Sequence, residues 1–523
     1  MLSNKLTVPP HDKAGEKGFF SRRPLVLSLT LAVLFLAAFC IRAYRITDPP
    51  LDFHPTRQYD SALLARTYYV RLLGSSAPEW MRTVAASQDP RTYLEPPIME
   101  SIAVALYVLA GGVEVWIPRL LSSLFWLLGA VPLYLLVRRT VSSDGAVVST
   151  AFYLLLPYGV FASRTFMPNP LMVMMLLFSI LLIARYGEAP SMRRAAIAGA
   201  VTGLAVLIEP FPLFMTFGAF AALAIERQGL RKSLFNPRSW IFPIVAVPVP
   251  AIYYWHTLFS DPETSLLSYQ LQLQYLFDPF SYRYWLVHIQ MVIGFGALIL
   301  ALLGVLMFRR RLARALVMGL WGGYVAYGLV FIYHMRTHDY YQLLLIPLVA
   351  ICLGPVGSLL LARLERMASH WRIRAGVWSV LALALVLSLG VAGTQLARQN
   401  FDQDVRTYEE VGEAVQHSTN TVFLTKHYGY PLEYHGWLAG KNWPYAGQMW
   451  GIPLQSDLQA EERFARGYAA SSPEYFIITN FEQFEQQSDL TKFLTENFPL
   501  VVQTENYLVF DLGSPVSTQR PDE

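Results

Sequence analysis

The chain has 523 residues, of which 54% are hydrophobic and only 15% are charged. Soluble domains carry about 25% charged residues, so this composition excludes a protein whose whole surface faces water. The formal net charge of +4 comes from arginine clusters between apolar stretches and does not indicate nucleic-acid binding. The two cysteines, Cys40 and Cys352, both lie in apolar stretches, which excludes a disulfide framework and a thiolate metal site.

Eleven apolar stretches are each close to the roughly 20 residues that a bilayer requires, and we predict that they span a membrane. They cover residues 24–43, 117–138, 145–162, 169–185, 195–209, 211–226, 240–257, 286–307, 313–333, 341–362 and 375–395. Every second gap between them collects arginine and lysine, from Lys5 to Arg23 at the start to Arg363, Arg366, Arg372 and Arg374 near the end. Short cytoplasmic loops are rich in these residues. We therefore expect the basic gaps to be cytoplasmic, the other gaps to be extracytoplasmic, and the chain to be a multi-pass protein of the plasma (inner) membrane.

A further apolar stretch, from Pro96 to Gly111, is predicted to lie along the membrane surface. It is short, opens with two prolines, contains Glu100 and ends in two glycines. A spanning helix here would move all later basic clusters to the opposite side, whereas an interfacial helix keeps every cluster on one side. The first extracytoplasmic loop then covers residues 44–116.

From residue 396 onward the sequence is polar and alternates helix-like with strand-like runs. Strands are predicted at 422–424, 475–479, 500–503 and 507–511, and the alternation is typical of a small α/β domain. The predicted fold class is an α-helical polytopic membrane protein with about 11 transmembrane helices, interfacial helices and this extracytoplasmic domain. The predicted parts are a cytoplasmic tail (1–23), a membrane domain (24–395), the α/β domain (396–513) and a disordered tail (514–523).

Three carboxylates of the first extracytoplasmic loop are candidates for chemistry. Asp52 and Asp60 follow the first span closely, so a base there can reach substrates from water and from the bilayer. Each has a structural alternative, because Asp52 follows two prolines in a turn and Asp60 is placed to cap a helix over 61–73. Glu95 can bind substrate or a metal, or it is an ordinary carboxylate near a helix N-terminus.

Two lone charges lie near other outer helix ends. Arg164 breaks the charge rule, which suggests a bound phosphate, with a lipid-headgroup anchor as the alternative. Glu209 lies at the tip of a predicted helical hairpin. A carboxylate at that depth is costly and points to a functional site, unless it reaches water at the helix end.

The densest polar cluster between two spans is residues 334–341, which contain Arg336, His338, Asp339 and Tyr340. These groups can bind phosphate, sugar hydroxyls or a divalent metal, but no spacing is diagnostic of zinc. In the tail, residues 430–437 are rich in aromatic side chains. Such side chains suit carbohydrate, but we favour a role in the domain core.

Taken in order, these motifs resemble the membrane glycosyltransferases of the GT-C type, in particular the dolichyl-phosphate-mannose protein mannosyltransferase and ArnT-like group (glycosyltransferase family 39-like). The resemblance runs from about residue 24 to 365. It rests on the acidic motif after the first span, the Pro96-Pro97 motif before an interfacial helix, and the Arg138-Arg139 span end. It also rests on the step from Ser163 to Pro170 and on the segment from His338 to Pro347.

The resemblance implies a transferase that moves a sugar from a polyprenyl-phosphate donor to an acceptor outside the cytoplasm, with inversion. The family often has an Asp-Glu pair in its first loop. Here an alignment anchored on Ala65-Arg66 puts Arg57-Gln58 opposite that pair, so the base is carried over to Asp52, with Asp60 in reserve. Glu95 replaces a basic residue found in ArnT-like members, which leaves phosphate recognition to Arg57, Arg164 or Arg336.

The partners implied are the donor, membrane lipid and an acceptor that is a protein, a lipid or a glycan, without nucleic acid. No cofactor is certain, and a divalent metal is left open. The alternative functions are a secondary transporter or flippase and a non-catalytic subunit of envelope assembly. Transporters place ionisable residues at the bilayer midplane within repeated halves. In this sequence the polar residues gather at span ends and no repeat is apparent, which favours an interfacial enzyme.

Overall fold

The computed structural model describes residues 18–88, 95–259, 271–366, 371–446 and 458–515. In the first half the helices are α1 Pro24–Ala43, α2 Pro55–Leu73, α3 Glu79–Ser87, α4 Ile98–Ala110, α5 Trp116–Thr140, α6 Ser143–Leu155, α7 Pro157–Ala162, α8 Asn169–Glu188, α9 Met192–Ile208, α10 Pro212–Gln228, α11 Leu230–Phe235, α12 Ile241–Ala246 and α13 Pro248–Phe259. In the second half they are α14 Pro279–Val292, α15 Phe295–Met307, α16 Arg311–Val330, α17 Ile332–Thr337, α18 Leu345–Arg366, α19 Trp371–Arg398, α20 Asp402–Ala414, α21 Tyr430–His435, α22 Ala460–Gly467, α23 Phe481–Glu485 and α24 Ser488–Asn497. The strands are β1 Thr421–Leu424, β2 Gly440–Asn442, β3 Tyr475–Ile478, β4 Leu500–Gln503 and β5 Leu508–Asp511. Short 3₁₀ helices cover Gly74–Ser76, Pro237–Trp240, Leu273–Phe277, Asp339–Leu344, Lys426–Gly429 and Ala469–Ser471.

Each predicted span coincides with a helix or with a broken pair of helices. Among the described residues, six helices are long and apolar enough to cross a membrane, or up to eight if each of two bent pairs counts as one span. The remaining predicted spans correspond to α9 and α10, of 17 residues each, and to α6 with α7. The chain therefore has a membrane-protein fold with many apolar helices.

Proline and glycine explain where the spans bend. Pro248 begins α13, and its axis departs from that of the preceding segment by 43°. Gly294, with φ +76°, separates α14 from α15 and allows a 92° bend. Proline lacks the backbone donor that continues a helix, and glycine tolerates positive φ. The predicted single span over 145–162 is likewise divided where α7 begins at Pro157.

A buried arginine stabilises that last break. Arg42 of α1 has no exposed surface, and its guanidinium donates hydrogen bonds to the carbonyl oxygens of Leu154 (3.0 Å) and Gly159 (3.4 Å) and to Ser163 Oγ (2.6 Å). These carbonyls lie where the helix is interrupted, and in a membrane such groups need a partner within the protein.

The helices of the membrane region approach closely at glycines. A Cβ added at Gly319 of α16 would lie 2.3 Å from the carbonyl oxygen of Gly218 in α10. One added at Gly145 of α6 would lie 2.5 Å from the carbonyl oxygen of Gly354 in α18. Small residues that bring helix backbones together are a common means of packing in membranes. These contacts hold the helix ends that carry the polar residues described below.

Helix α4 agrees with the predicted interfacial helix. It has 13 residues, too few for a bilayer at about 1.5 Å per residue. One face packs on α2, where Ser61 Oγ donates a 2.6 Å hydrogen bond to the buried carboxyl of Glu100. The opposite face exposes Val108 and Leu109, as an interfacial helix requires.

The C-terminal region contains a five-stranded sheet in the order β2-β1-β3-β5-β4. Strand β1 pairs in parallel with β2 and β3, whereas β5 is antiparallel to β3 and β4. The four predicted strands are confirmed. Strand β2 was not predicted, because its three residues, Gly440–Asn442, lack a run of β-branched or aromatic side chains.

The sheet region is joined to the first-loop helices through α21. The buried guanidinium of Arg66 in α2 donates hydrogen bonds to the carbonyl oxygens of Glu433 and Tyr434 and lies 3.8 Å from the ring centre of Trp437. Gln88 donates to the Glu433 carbonyl oxygen at 2.9 Å. Residues 430–437 are thus packed into a core, as predicted, but that core is shared between the two regions.

Candidate active site

The first-loop residues are positioned by an unusual start to α2. His54 adopts a left-handed conformation (φ 44°, ψ 61°) immediately before Pro55, the first residue of the helix. A non-glycine residue with positive φ is strained, and such strain is concentrated at functional sites. Because the helix begins at Pro55, Asp60 lies inside it. The predicted N-cap role of Asp60 is therefore wrong: proline, with its preset φ and no donor, begins the helix six residues earlier than expected.

Asp52 lies at the centre of a buried ionic cluster. Its Oδ2 forms an ion pair with Arg119 of α5 and lies 3.9 Å from Arg164 Nε, while Gln58 Nε2 lies 3.4 Å from Oδ1. The side chains of Asp52, Arg119 and Arg164 are 4%, 0% and 1% exposed. Burial, reinforced by Arg119, lowers the pKa of Arg164 to about 10, so that Arg164 stays charged at neutral pH. Asp52 is thus held in one orientation by two buried cations.

Asp339 and His54 form a second pair. His54 Nε2 lies 2.6 Å from Asp339 Oδ1, and the His54 ring packs edge-on against Tyr340 with centroids 4.8 Å apart. Burial alone would raise the pKa of Asp339, but the hydrogen bond and charge of His54 hold it below its usual value. Burial and the nearby charge of His54 lower the pKa of His338 to about 4, so that this imidazole is neutral at pH 7.

Both carboxylates border one cavity of about 700 Å³. Its other walls come from α7, α14 and the end of α19, with the side chains of Phe53, Pro157, Tyr158, Phe161, Met291, Val391, Gln395, Arg398 and Gln399. The cavity is open on one side and combines acidic, amide and apolar surfaces. A substrate group could therefore contact Asp52 or Asp339 there without unfolding the loop.

Arg57 is the centre of a third cluster, one helical turn beyond His54. Its guanidinium lies 3.7 Å from Asp60 and 3.9 Å from Glu95, which is longer than a hydrogen bond. Burial by itself would lower the pKa of Arg57, but Glu95, Tyr340 and Asp60 raise it above its usual range. The side chain is 33% exposed, so Arg57 is a permanent cation whose donors remain available to a ligand.

Glu209 lies close to this third cluster and is buried. Its Oε2 accepts a 2.9 Å hydrogen bond from Asn169 Nδ2. Beside it, an apolar groove of about 240 Å³ is lined by Val206, Pro210, Leu213, Val247, Pro250, Ala251, Tyr254, Leu258, Leu271 and Phe331. The hairpin formed by α9 and α10, residues 192–228, contains two carboxylates, Glu209 at its tip and Glu226 at its far end. The groove lies beside the first of these.

Arg336 is separate from these clusters. It forms a 2.7 Å ion pair with Asp278 and lies 4.3 Å from the ring centre of Tyr275. These two contacts join α17 to the segment before α14. Sequence reasoning placed Arg336 with His338, Asp339 and Tyr340, but only the last three face His54 and Arg57.

Several residues of the site were not predicted. Arg119 was overlooked because it lies at the start of an apolar span, where a single arginine looks like a helix-end residue. Gln58, whose Oε1 also accepts a hydrogen bond from the Phe166 amide at 3.0 Å, and Tyr158 were overlooked because amide and phenol groups are common in any loop. The one available signal was that Arg119, like Arg164, lies at the outer end of an apolar span, where the charge rule does not expect an arginine.

Within the part of the chain that the structure describes, no group of three or more histidine, cysteine, aspartate or glutamate side chains is arranged to hold a metal ion. His54, Asp339 and His338 come together, but the rings of the two histidines are 6.0 Å apart and only His54 bonds to the carboxylate.

Known proteins share this architecture. The sequence profile of the family described as dolichyl-phosphate-mannose-protein mannosyltransferase matches residues 95–255. The solved structure of ArnT from Cupriavidus metallidurans bound to undecaprenyl phosphate superimposes with a TM-score of 0.60, over 95% of this chain and 99% of that one, at 15% identity. The chain has the fold of the GT-C glycosyltransferases. The resemblance inferred from the sequence motifs is thereby confirmed.

A second solved structure has the same fold. Archaeal oligosaccharyltransferase AglB from Archaeoglobus fulgidus, in complex with an inhibitory peptide and a dolichol-phosphate, superimposes with a TM-score of 0.53 at 13% identity. The likeness covers 97% of this chain and 75% of that one. No curated protein matches the chain by sequence. At these identities the likeness establishes the GT-C fold, and function has to be argued from the site.

Proposed function

We propose that the protein transfers a sugar from a polyprenyl-phosphate donor to a hydroxyl or similar group of an acceptor, on the extracytoplasmic side of the membrane. The observation that carries this proposal is the juxtaposition, within a GT-C fold, of a cavity bordered by Asp52 and Asp339 with a partly exposed cation, Arg57. Solved proteins of this fold hold undecaprenyl phosphate or a dolichol-phosphate.

The sidedness of the site supports the extracytoplasmic location. In support of it, Arg66 of the first loop is hydrogen-bonded to Tyr434 of the C-terminal region, so these two parts are in contact. The arginines that the charge rule assigns to the cytoplasm are at the opposite helix ends, for example Arg139 at the end of α5 and Arg310 before α16. Arg310 donates a 2.9 Å hydrogen bond to the Arg139 carbonyl oxygen, so those two ends meet.

In this proposal the donor phosphate binds at Arg57, with Tyr340 and the neutral His338 as further hydrogen-bonding groups. The Arg57 guanidinium makes no hydrogen bond within the described residues, and a guanidinium can bind a phosphate in a bidentate manner. The apolar groove beside Glu209 and Tyr254 suits the isoprenoid chain. Glu95 and Glu209 would then contact the sugar hydroxyls, for which carboxylates are good acceptors.

Asp52 is the proposed base. Its carboxylate takes the proton of the acceptor hydroxyl as the oxygen attacks the anomeric carbon. The bond from that carbon to the phosphate oxygen breaks, and the polyprenyl phosphate leaves with the electron pair. Attack from the opposite face inverts the anomeric centre. In the proposal Asp60 is the reserve base, while Arg164 and Arg119 hold Asp52 and Arg336 holds the neighbouring loop.

The donor is already activated by its lipid phosphate, so this scheme needs neither a nucleotide nor a nucleotide-bound metal. The purified chain should be incubated with short-chain polyprenyl phosphates that carry mannose, glucose or arabinose, together with a membrane extract that supplies protein, lipid and glycan acceptors. Release of the lipid phosphate should be measured. Parallel reactions with EDTA decide whether a divalent metal takes part.

Three variants assign the site in the same assay, and a fourth is their control. We expect Asp52→Asn to lower turnover by about 100-fold or more, as the loss of a general base does. Asp60→Asn and Glu95→Gln should act mainly on the donor KM, and the exposed Glu462→Gln of α22 serves as the matched control. A wild-type chain that releases no lipid phosphate from any of these donors would contradict the proposal and favour a transporter or an assembly subunit. Full activity of Asp52→Asn would show that another residue acts as the base.

A further inference from the structure

A cleft of about 390 Å³ opens at the arginine-rich ends of the helices, away from the candidate active site. Four segments line it: Gly18 before α1, the turn from Thr140 to Asp144 between α5 and α6, the connection from Met307 to Arg310 before α16, and the last part of α18. Its polar side chains are Thr140, Ser142, Asp144, Arg309, Arg310, Ser358 and Arg366. No part of the proposed glycosyl transfer uses these residues.

The acidic group of the cleft is already occupied. Asp144 is 1% exposed, and its two carboxylate oxygens accept hydrogen bonds of 2.8 Å from the backbone amides of Phe19 and Phe20. The nearby carboxylate of Glu365 lies 3.4 Å from Arg22 and 3.6 Å from Arg23. Neither carboxylate pairs with an arginine of the cleft.

The cations of the cleft, by contrast, have donors to spare. Within the ranges that the structure describes, the side chains of Arg309 and Arg366 form neither a hydrogen bond nor an ion pair. Arg310 uses one nitrogen to donate to the Arg139 carbonyl oxygen at 2.9 Å. Guanidinium groups that converge in this way are suited to the oxygens of a phosphate. The cleft therefore has an excess of positive charge and of unused donors.

The surroundings of the cleft are apolar and outward-facing. Leu306 of α15 is 76% exposed, and Leu359 of α18, which also lines the cleft, is 47% exposed. In a membrane helix such side chains contact acyl chains. A ligand whose charged group enters the cleft would thus have its remainder beside lipid-facing helix surfaces. This arrangement fits an amphiphile better than a small water-soluble anion.

We propose that this cleft binds the phosphodiester headgroup of an anionic phospholipid. Arg309 and Arg366 contact the phosphate oxygens, Arg310 contributes its remaining donors, and the acyl chains lie against the leucines of α15 and α18. Basic pockets between transmembrane helices on the cytoplasmic side are suited to such headgroups. The site is separate from the donor-phosphate site at Arg57, and it would be retained even if the proposed transfer reaction were wrong.

Three arginines line this one cleft, and this distinguishes the site from the general positive charge of that face. Arg314 of α16 and Arg363 of α18 belong to the same helix ends and are exposed, but neither lines the cleft. They provide a matched control, because removing them changes the net charge by the same amount at the same helix ends.

The test is native mass spectrometry of the full chain, delipidated in neutral detergent and titrated with phosphatidylglycerol or phosphatidylcholine. We expect the wild type to bind the first phosphatidylglycerol more tightly than phosphatidylcholine. The double variant Arg309→Gln with Arg366→Gln should bind that lipid about 30-fold more weakly, since each basic side chain near an anionic lipid contributes about a fivefold factor. Arg314→Gln with Arg363→Gln should bind it as the wild type does.

Three outcomes would overturn the inference. The cleft variant could retain wild-type affinity, the control variant could lose as much affinity as the cleft variant, or millimolar inorganic phosphate could displace the lipid completely. The last result would identify a site for free anions. If the double variant unfolds, as judged by its thermal transition in the same neutral detergent, the single variants and Arg309→Lys with Arg366→Lys take its place. The lysine pair should weaken binding less than the glutamine pair, because it keeps the charge.

Discussion

His54 and Asp339 are 285 residues apart in the chain, yet Nε2 of the imidazole lies 2.6 Å from the carboxylate. This contact fastens the strained start of α2 to the connection between α17 and α18. Because Asp52 is two residues before His54 and Arg57 three residues after it, the pair fixes the distance between the proposed base and the proposed phosphate site. The proposed transfer needs both groups to act on one donor, so the pair is expected to position catalytic groups rather than to react itself.

Asp339→Asn tests this role. An amide cannot hold the imidazole as a carboxylate does, and the strained His54 should then relax and displace Asp52. We expect turnover of the short-chain donor to fall by about 100-fold, the usual cost of a displacement of about 1 Å in a reacting group. Donor KM should change less. The exposed Asp402→Asn in α20 is the control, and an Asp339→Asn enzyme with wild-type turnover would show that the pair has no positioning role.

The sequence predicted the fold more completely than the site, for a physical reason. Spans, the interfacial helix and four strands follow from hydropathy and periodicity, which are properties of neighbouring residues. The pairing of His54 with Asp339, and of Asp52 with Arg119, depends on how distant helix ends meet. Local patterns contain no information about such contacts. The family resemblance identified Asp52 as a candidate base, whereas Arg119 lies in no motif of that resemblance.

Errors in the local prediction came from backbone chemistry. The start of α2 was placed at Ser61 because Asp60 looks like a good cap, whereas Pro55 at the first helical position is the stronger signal. The break at Pro157 was overlooked because the apolar run continues through it. Both errors concern proline, whose effect on hydrogen bonding outweighs hydropathy.

The contact between α2 and α21 predicts a dependence of stability on pH. Tyr59 OH lies 2.7 Å from His435 Nε2, and burial, with the charge of Arg66, lowers the pKa of His435 to about 3. An unfolded histidine has a pKa of about 6.5. As pH falls below that value, His435 is protonated in the unfolded chain but not in the folded one. The free energy of unfolding that depends on the neutral imidazole is therefore fully present above pH 6.5 and is lost as the pH falls toward 3.

We therefore expect His435→Gln to lose less stability than the wild type between pH 7.5 and pH 5.5, by about 1.4 kcal/mol. Glutamine retains an acceptor for the Tyr59 hydroxyl but does not titrate. Thermal unfolding in neutral detergent at the two pH values measures the difference. Equal losses in variant and wild type would mean that His435 is protonated in the folded state as readily as in the unfolded one.

Arg66→Lys should loosen the C-terminal region from the first-loop helices. The guanidinium makes hydrogen bonds to two carbonyl oxygens and to Gln88 Oε1 (2.9 Å), and it stacks on Trp437. Lysine keeps the charge but cannot reproduce this planar arrangement. We expect a loss of about 2–4 kcal/mol, the cost of a buried charge that loses its hydrogen bonds.

Limited proteolysis reports this loosening directly. Cleavage near residue 400 should become faster in Arg66→Lys while the membrane helices stay protected. Arg82→Lys, an exposed position on the adjacent α3, provides the control. The prediction is wrong if both variants are cleaved at the wild-type rate.

The contact between α10 and α16 can be tested with two adjacent glycines. A Cβ at Gly323 would lie 2.3 Å from the Phe214 carbonyl oxygen, whereas one at Gly322 would meet nothing within 4 Å. Both are interior positions of the same helix, so alanine has the same intrinsic preference at each. Gly323→Ala has to push two backbones apart, and the arrangement of α16, α17 and the Asp339 segment behind them should change with it.

We expect Gly323→Ala to lower the thermal unfolding temperature and to reduce donor turnover, because the cost of overpacking is typically about 1–3 kcal/mol. Gly322→Ala should be neutral or slightly stabilising, since alanine favours a helix by about 1 kcal/mol over glycine. The difference between the two variants removes the effect of helix propensity and isolates the packing term. If Gly323→Ala were as stable and active as Gly322→Ala, close approach of the two helices at this point would not be needed to hold the site.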